Sequence, residues 1–170
     1  MRTTVPNGLF KPALLFLFIF SAFTLTAQTY TTIANGAWTS ASTWKNGSIP
    51  PPGNIRAGVT INIKHVVNYT GGGFSNEGRI NIENTGSISP RLLISSGVDI
   101  NNKSTGQIYV LNGELRQYRF LLGLELGVAQ AGKFKNEGLV KAENSFVEYA
   151  QDWSNESSGK VILRNAILAI

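Results

Sequence analysis

Phe74-Ser75-Asn76-Glu77-Gly78, followed by Arg79-Ile80-Asn81-Ile82, is the stretch that decides the fold, because it comes back twice. Phe134-Lys135-Asn136-Glu137-Gly138 leads into Val140 and Ala142. Trp153-Ser154-Asn155-Glu156, with its glycine delayed to Gly159, leads into Val161 and Leu163. Each copy is an aromatic residue, a polar turn and then apolar residues at every second position. Period two marks a strand with one buried face. A turn-strand unit that recurs along a chain marks a stack of short coils. The expected fold is all-β: a right-handed parallel β-solenoid (β-helix), its hand following the preference of parallel crossovers. The alternative is an antiparallel β-sandwich, which also uses short strands and Gly/Asn turns.

Working outward, Val59, Ile61 and Ile63 alternate with Thr60, Asn62 and Lys64 as a first strand, and Gly71-Gly72-Gly73 then breaks the chain. Gly78, Gly97, Gly113, Gly138 and Gly159 are the candidate turn glycines, with Gly86 and Gly106 as secondary ones. Their spacing averages about 20 residues, the size of one β-helix coil. Glycine suits such turns because it accepts positive φ. Asn tolerates left-handed geometry, and its amide can bond a neighbouring turn. Asn76, Asn84, Asn101, Asn136 and Asn155 are therefore the expected ladder between coils. Tyr118 to Lys133, YRFLLGLELGVAQAGK, fits the pattern worst. It reads either as a buried strand pair or as an inserted loop over one coil.

Residues 1–27 are expected to be a secretory signal peptide. Arg2 and Lys11 precede an apolar run from Ala13 to Phe23, and Ala27 offers a small residue for cleavage. That run is shorter than the roughly 20 residues of a membrane span, so membrane contact is expected only through the transient leader. Residues 28–58, rich in Thr, Ser, Asn, Gly and Pro, read as an N-terminal cap segment, and 59–170 as the solenoid repeats. The repeats run to an apolar end at Ile167-Leu168-Ala169-Ile170 with no polar cap. Solenoids need capped ends, so the expectation is a chain truncated there, or one that self-associates through its last coil.

Composition narrows the function classes. With no cysteine, neither disulfide staples nor lipid attachment through a thiol is open to the chain. Without Arg2 and Lys11, 13 basic residues face 10 acidic ones, and the basic residues are scattered. Nucleic-acid binding wants a clustered basic face and is not expected.

Gly36-Ala37-Trp38, Trp44-Lys45-Asn46-Gly47, Ile49-Pro50 and Gly53 lead into Val59-Thr60-Ile61. This order resembles the opening of exported surface and adhesin-like proteins of Bacteroidetes-type bacteria, in which such a phrase precedes a β-helix. It also resembles the start of the eight-glycine extracellular β-domain. The resemblance covers residues 30–70 by motif and 74–165 by repeat style. It implies a structural or adhesin-like solenoid of a secreted or cell-surface bacterial protein, with extracellular glycans or other surface components as partners. Trp38 and Trp44 suit a cap, their rings over the first coil and their indole N–H groups on backbone carbonyls. The competing role for Trp38 and Trp44 is a glycan-stacking platform, within a carbohydrate-binding module or a non-catalytic part of a polysaccharide-degrading enzyme.

Reactive constellations are sparse, so no enzyme, cofactor or metal site is expected. His65 is the one histidine, and no nucleophile-elbow motif accompanies it. A zinc site would need further His or Cys ligands. Glu143, Glu148, Asp152 and Glu156 cluster late in the chain with Lys141 and Lys160 nearby. Adjacent coils could bring two of these carboxyls within the 5–10 Å of a glycosidase pair. They read more simply as solvated outer faces and turns.

Overall fold

A computed structural model describes residues 27–86, 88–121, 124–126, 132–149 and 152–170. The leader assigned to residues 1–27 thus lies outside the described residues, apart from Ala27. The first coil is β1 (Gln28–Thr31), β2 (Gly36–Ala37) and β3 (Asn54–Ile55), and the second is β4 (Val59–Ile63), β5 (Val66–Tyr69) and β6 (Phe74–Asn76). The third is β7 (Arg79–Glu83), β8 (Arg91–Ser95) and β9 (Ile100–Asn102). The fourth is β10 (Gln107–Leu111), β11 (Glu114–Leu121), β12 (Leu124–Leu126) and β13 (Lys133–Asn136). The fifth is β14 (Leu139–Glu143), β15 (Phe146–Glu148) and β16 (Asp152–Asn155), followed by β17 (Lys160–Arg164) and β18 (Ile167–Ala169) of a sixth turn.

Corresponding strands stack in parallel into three sheets. The first runs β1-β4-β7-β10-β14-β17, the second β18-β15-β11-β8-β5-β2, and the third β16-β13-β9-β6-β3. This is a parallel β-solenoid, and no α-helix occurs among the described residues. The antiparallel sandwich is excluded, since the three sheets are built from parallel pairs except for β11 with β12.

Alternation decides what goes inside. In the first sheet Tyr30, Ile61, Ile80, Ile108 and Val140 lie in one register column, and Ile63, Ile82, Val110 and Ala142 in the next. All are buried. The second sheet contributes Val67, Leu92, Leu115 and Val147 to the same core. Fully burying an Ile or Val side chain contributes about 1.5–3 kcal/mol, and each coil places several. Aromatic rings collect toward the two ends. Tyr69 packs on Trp38 and Phe74 with centroids 5.3 Å apart, and Phe134 stacks on Trp153 at 4.1 Å and 8°.

Coil length is less regular than glycine spacing implies. Successive register partners Tyr30, Ile61, Ile80, Ile108, Val140 and Val161 are 31, 19, 28, 32 and 21 residues apart. The glycines that open the first-sheet strands are Gly58, Gly78, Gly106, Gly138 and Gly159, so Gly106 is a primary turn glycine. Gly97 and Gly113 belong to other corners. Positive φ, the expected reason for a turn glycine, holds at Gly97, where φ is 80°, but the reason differs along the five first-sheet corners. Of these five, Gly58 has positive φ. A Cβ on Gly106 would lie 2.2 Å from the Asn76 carbonyl oxygen, and one on Gly138 would lie 2.2 Å from that of Gly106. The coils approach too closely there for any side chain. Positive φ is carried instead by Asn112, Asn144 and Asn165, which turn the first-sheet strands into the second sheet.

Of the ill-fitting stretch Tyr118 to Lys133, residues 122–123 and 127–131 lie outside the described residues. β11 runs past the end of its neighbours and folds back antiparallel on β12, pairing Arg119 with Leu126 and Leu121 with Leu124. Residues 28–55, expected as a cap segment, form the first coil, because they supply one strand to each sheet and the turn that carries both tryptophans.

Candidate functional site

Trp38 and Trp44 lie inside this first coil. Trp44 is fully buried and Trp38 is 3% exposed. Their rings meet edge to face at 5.3 Å and 74°. Trp44 Nε1–H donates to the Trp38 carbonyl at 2.7 Å, and Trp38 Nε1–H donates to the Pro50 carbonyl at 3.3 Å. Both indoles thus satisfy their one donor on backbone while their rings cover the core. A sugar could stack on either ring only after the cap opened. Trp153 continues the column of Phe74, Ile100 and Phe134 and is half-buried.

His65 is half-buried, with Nδ1 3.0 Å from the Thr32 hydroxyl. That hydroxyl is buried and also accepts the Lys64 backbone N–H at 2.9 Å. The arrangement ties the turn after β4 to the end of β1. It offers no exposed nucleophile.

The late acidic residues are dispersed over three faces. Glu143 pairs with Lys141 on the first sheet at 3.6 Å, and Asp152 with Lys133 on the third at 3.8 Å. Glu156 accepts a hydrogen bond from Ser154 at 3.3 Å. Glu148 binds Arg116 on the second sheet at 2.8 Å. The coil stack therefore separates the carboxylates that the sequence brings close. No group of three or more His, Cys, Asp or Glu is placed to hold a metal ion among the described residues.

What the fold does assemble is polar and repetitive. Asn76 Nδ2 donates to Asn102 Oδ1 at 2.8 Å, Asn102 to Asn136 at 2.7 Å, and Asn136 to Asn155 at 2.7 Å. The first three are fully buried. Each also aims Nδ2 at a carbonyl of the next coil, Gln107, Leu139 and Lys160 respectively, at 3.3–3.4 Å. Three of the expected ladder residues are present. Asn102 takes the place expected for Asn101, and Asn84 lies at another corner, where its Oδ1 accepts the Gly86 N–H. The ladder starts at Asn76 because Ile55 occupies its register position on β3, and Asn76 Oδ1 is left without a partner. On the second sheet Arg91, Glu114, Arg116 and Glu148 form a chain of ion pairs along the axis at 2.8–3.5 Å. The Arg116 guanidinium lies 4.9 Å from the Phe146 ring centroid.

Between the first and second sheets an open groove of about 630 Å³ runs over the last four turns of the solenoid. Its walls include the left-handed residues Asn112, Asn144 and Asn165, together with Glu114, Phe146 and Ile167. Sequence reasoning missed this groove, because the signal is one Asn per coil at different distances from the repeat phrase.

No family model, curated protein or solved structure matches this chain.

The architecture therefore rests on its own geometry. A buried amide column and tightly apposed glycines hold the coils together, while charged groups are spread over the outside.

Proposed function

We propose that this chain is a non-enzymatic, load-carrying solenoid segment of an exported or cell-surface bacterial protein. The observation that carries this reading is where the polar chemistry sits. The buried Asn76–Asn102–Asn136–Asn155 column spends its hydrogen bonds on joining coils. The ionisable side chains pair off locally on three different outer faces. Such a stack is a spacer whose length grows with coil number. The leader-like residues 1–27 and the absence of cysteine favour an exported location without disulfides.

The test is fractionation of the source cells with an antibody against residues 28–58, with mass determination of the product. A product in the envelope or medium that lacks the leader is expected. An uncleaved product confined to the cytoplasm would overturn the reading. Turnover of any polysaccharide by the purified protein, lost in Glu148→Gln with the fold retained, would overturn its non-enzymatic part.

A further inference from the structure

We infer that the groove between the first and second sheets binds a linear, neutral glycan lying along the solenoid axis. The inference stands on the groove alone and not on the export reading. Asn112, Asn144 and Asn165 have φ of 51°, 48° and 46°. Glycine is the default residue for such positions, yet three successive coils place Asn there and expose its amide.

These amides keep unused hydrogen-bonding capacity. Asn165 Nδ2 donates to Asn144 Oδ1 at 2.7 Å, and Asn144 Nδ2 and Asn165 Oδ1 have no partner among the described residues, so they can face a ligand. The Asn112 amide has no partner among the described residues. This column therefore differs from the buried one, whose inner members Asn102 and Asn136 are bonded on both sides.

Spacing, apolar surface and charge select the ligand class. Neighbouring strands lie about 4.7–4.9 Å apart, close to the advance of one pyranose in an extended chain. Four turns span about 14 Å, room for three sugar units. Amide side chains offer a donor and an acceptor together, which suits vicinal hydroxyls. Phe146, half-buried, and Ile167, 60% exposed, supply apolar contact for the C–H faces of a sugar ring. The ionisable group in the lining is Glu114, and its carboxylate is already held by Arg91 at 3.4 Å and Arg116 at 3.5 Å. The described wall residues include neither lysine nor arginine. The adjacent Arg91 and Arg116 are already paired with Glu114, so the lining itself offers an anionic polymer no cation.

The experiment is titration of the protein with cellohexaose, xylohexaose, mannohexaose and N-acetylchitohexaose, with a hexa-galacturonate for comparison, read by calorimetry. The key variant is Asn112→Gly/Asn144→Gly/Asn165→Gly, which keeps the left-handed corners and removes the amides. Saturable binding of at least one neutral hexasaccharide is expected, at least tenfold weaker in the triple variant with an unchanged circular dichroism spectrum. Should the triple variant misfold, Asn112→Gly alone serves, because its amide bonds nothing among the described residues. It is expected to weaken binding at least threefold. The inference is overturned if no neutral oligosaccharide saturates, if only the uronate binds, or if the folded glycine variant binds like the parent.

Discussion

Replacing Asn102 with alanine isolates the contribution of the buried amide column. Asn102 is fully buried, accepts from Asn76 and donates to Asn136 and to the Leu139 carbonyl. Truncation strands two buried groups: Asn76 Nδ2 loses its short acceptor, and Asn136 Oδ1 loses its donor. An unsatisfied buried polar group costs about 1–3 kcal/mol, so with the small void the loss should reach about 3–5 kcal/mol. Asn155→Ala is the control, because Asn155 is exposed and water can replace it. Its loss should stay below about 1 kcal/mol. Urea unfolding followed by far-UV circular dichroism and tryptophan fluorescence reads both. The indoles report from the two ends, Trp38 and Trp44 in the first coil and Trp153 in the fifth. If Asn102→Ala and Asn155→Ala fall within 1 kcal/mol of each other, the column does not hold the coils together.

Further expectations follow from packing and ionisation. Gly138→Ala drives a Cβ to 2.2–2.3 Å from the Gly106 and Lys103 carbonyl oxygens and should cost more than about 2 kcal/mol, whereas Gly72→Ala meets open space and should stay within about 0.5 kcal/mol in the same urea assay. Ile80→Asp or Val140→Asp buries an unpaired carboxylate in the core, and loss of the native β-type spectrum and melt is expected. Burial, with the nearby Asp99 carboxylate, pushes the Tyr149 phenol well above its ordinary value. Above about pH 10 the unfolded chain then gives up a proton that the folded chain keeps, so stability falls by up to about 1.4 kcal/mol per pH unit. Tyr149→Phe should make that alkaline fall shallower in urea titrations at successive pH values. It should not abolish the fall, because burial also raises the Tyr69 phenol.

Much of the solenoid was legible because period two and the aromatic-x-Asn-Glu-Gly phrase are local signals. The coil register was not, for a reason visible at Ile100-Asn101-Asn102-Lys103. This is a fourth copy of the phrase with Ile in the aromatic slot, Lys in place of Glu and its glycine displaced to Gly106. The core accepts Ile between Phe74 and Phe134, and Lys103 is solvent-facing enough to replace an acid. Residue type at those two positions is therefore weakly constrained, while the Asn and the glycine are fixed by contacts. The tryptophan hydrogen bonds followed from the donor count of an indole. The groove could not, since corner-to-corner alignment of Asn112, Asn144 and Asn165 depends on register, and the β11–β12 outgrowth hides that register in sequence.

Register is the central claim, and an absence of cysteine makes it directly measurable. Asn101 and Lys135 are partners on adjacent coils, 34 residues apart. Their Cα separation of about 4.8 Å is within disulfide range, whereas Asn101 and Lys133 lie about 8 Å apart. Mild oxidation of Asn101→Cys/Lys135→Cys should give an intramolecular crosslink, seen as a loss of two mass units and a linked peptide pair after digestion. Asn101→Cys/Lys133→Cys should remain free thiols. Crosslinking of the second pair in preference to the first would contradict the parallel stack and every contact derived from it.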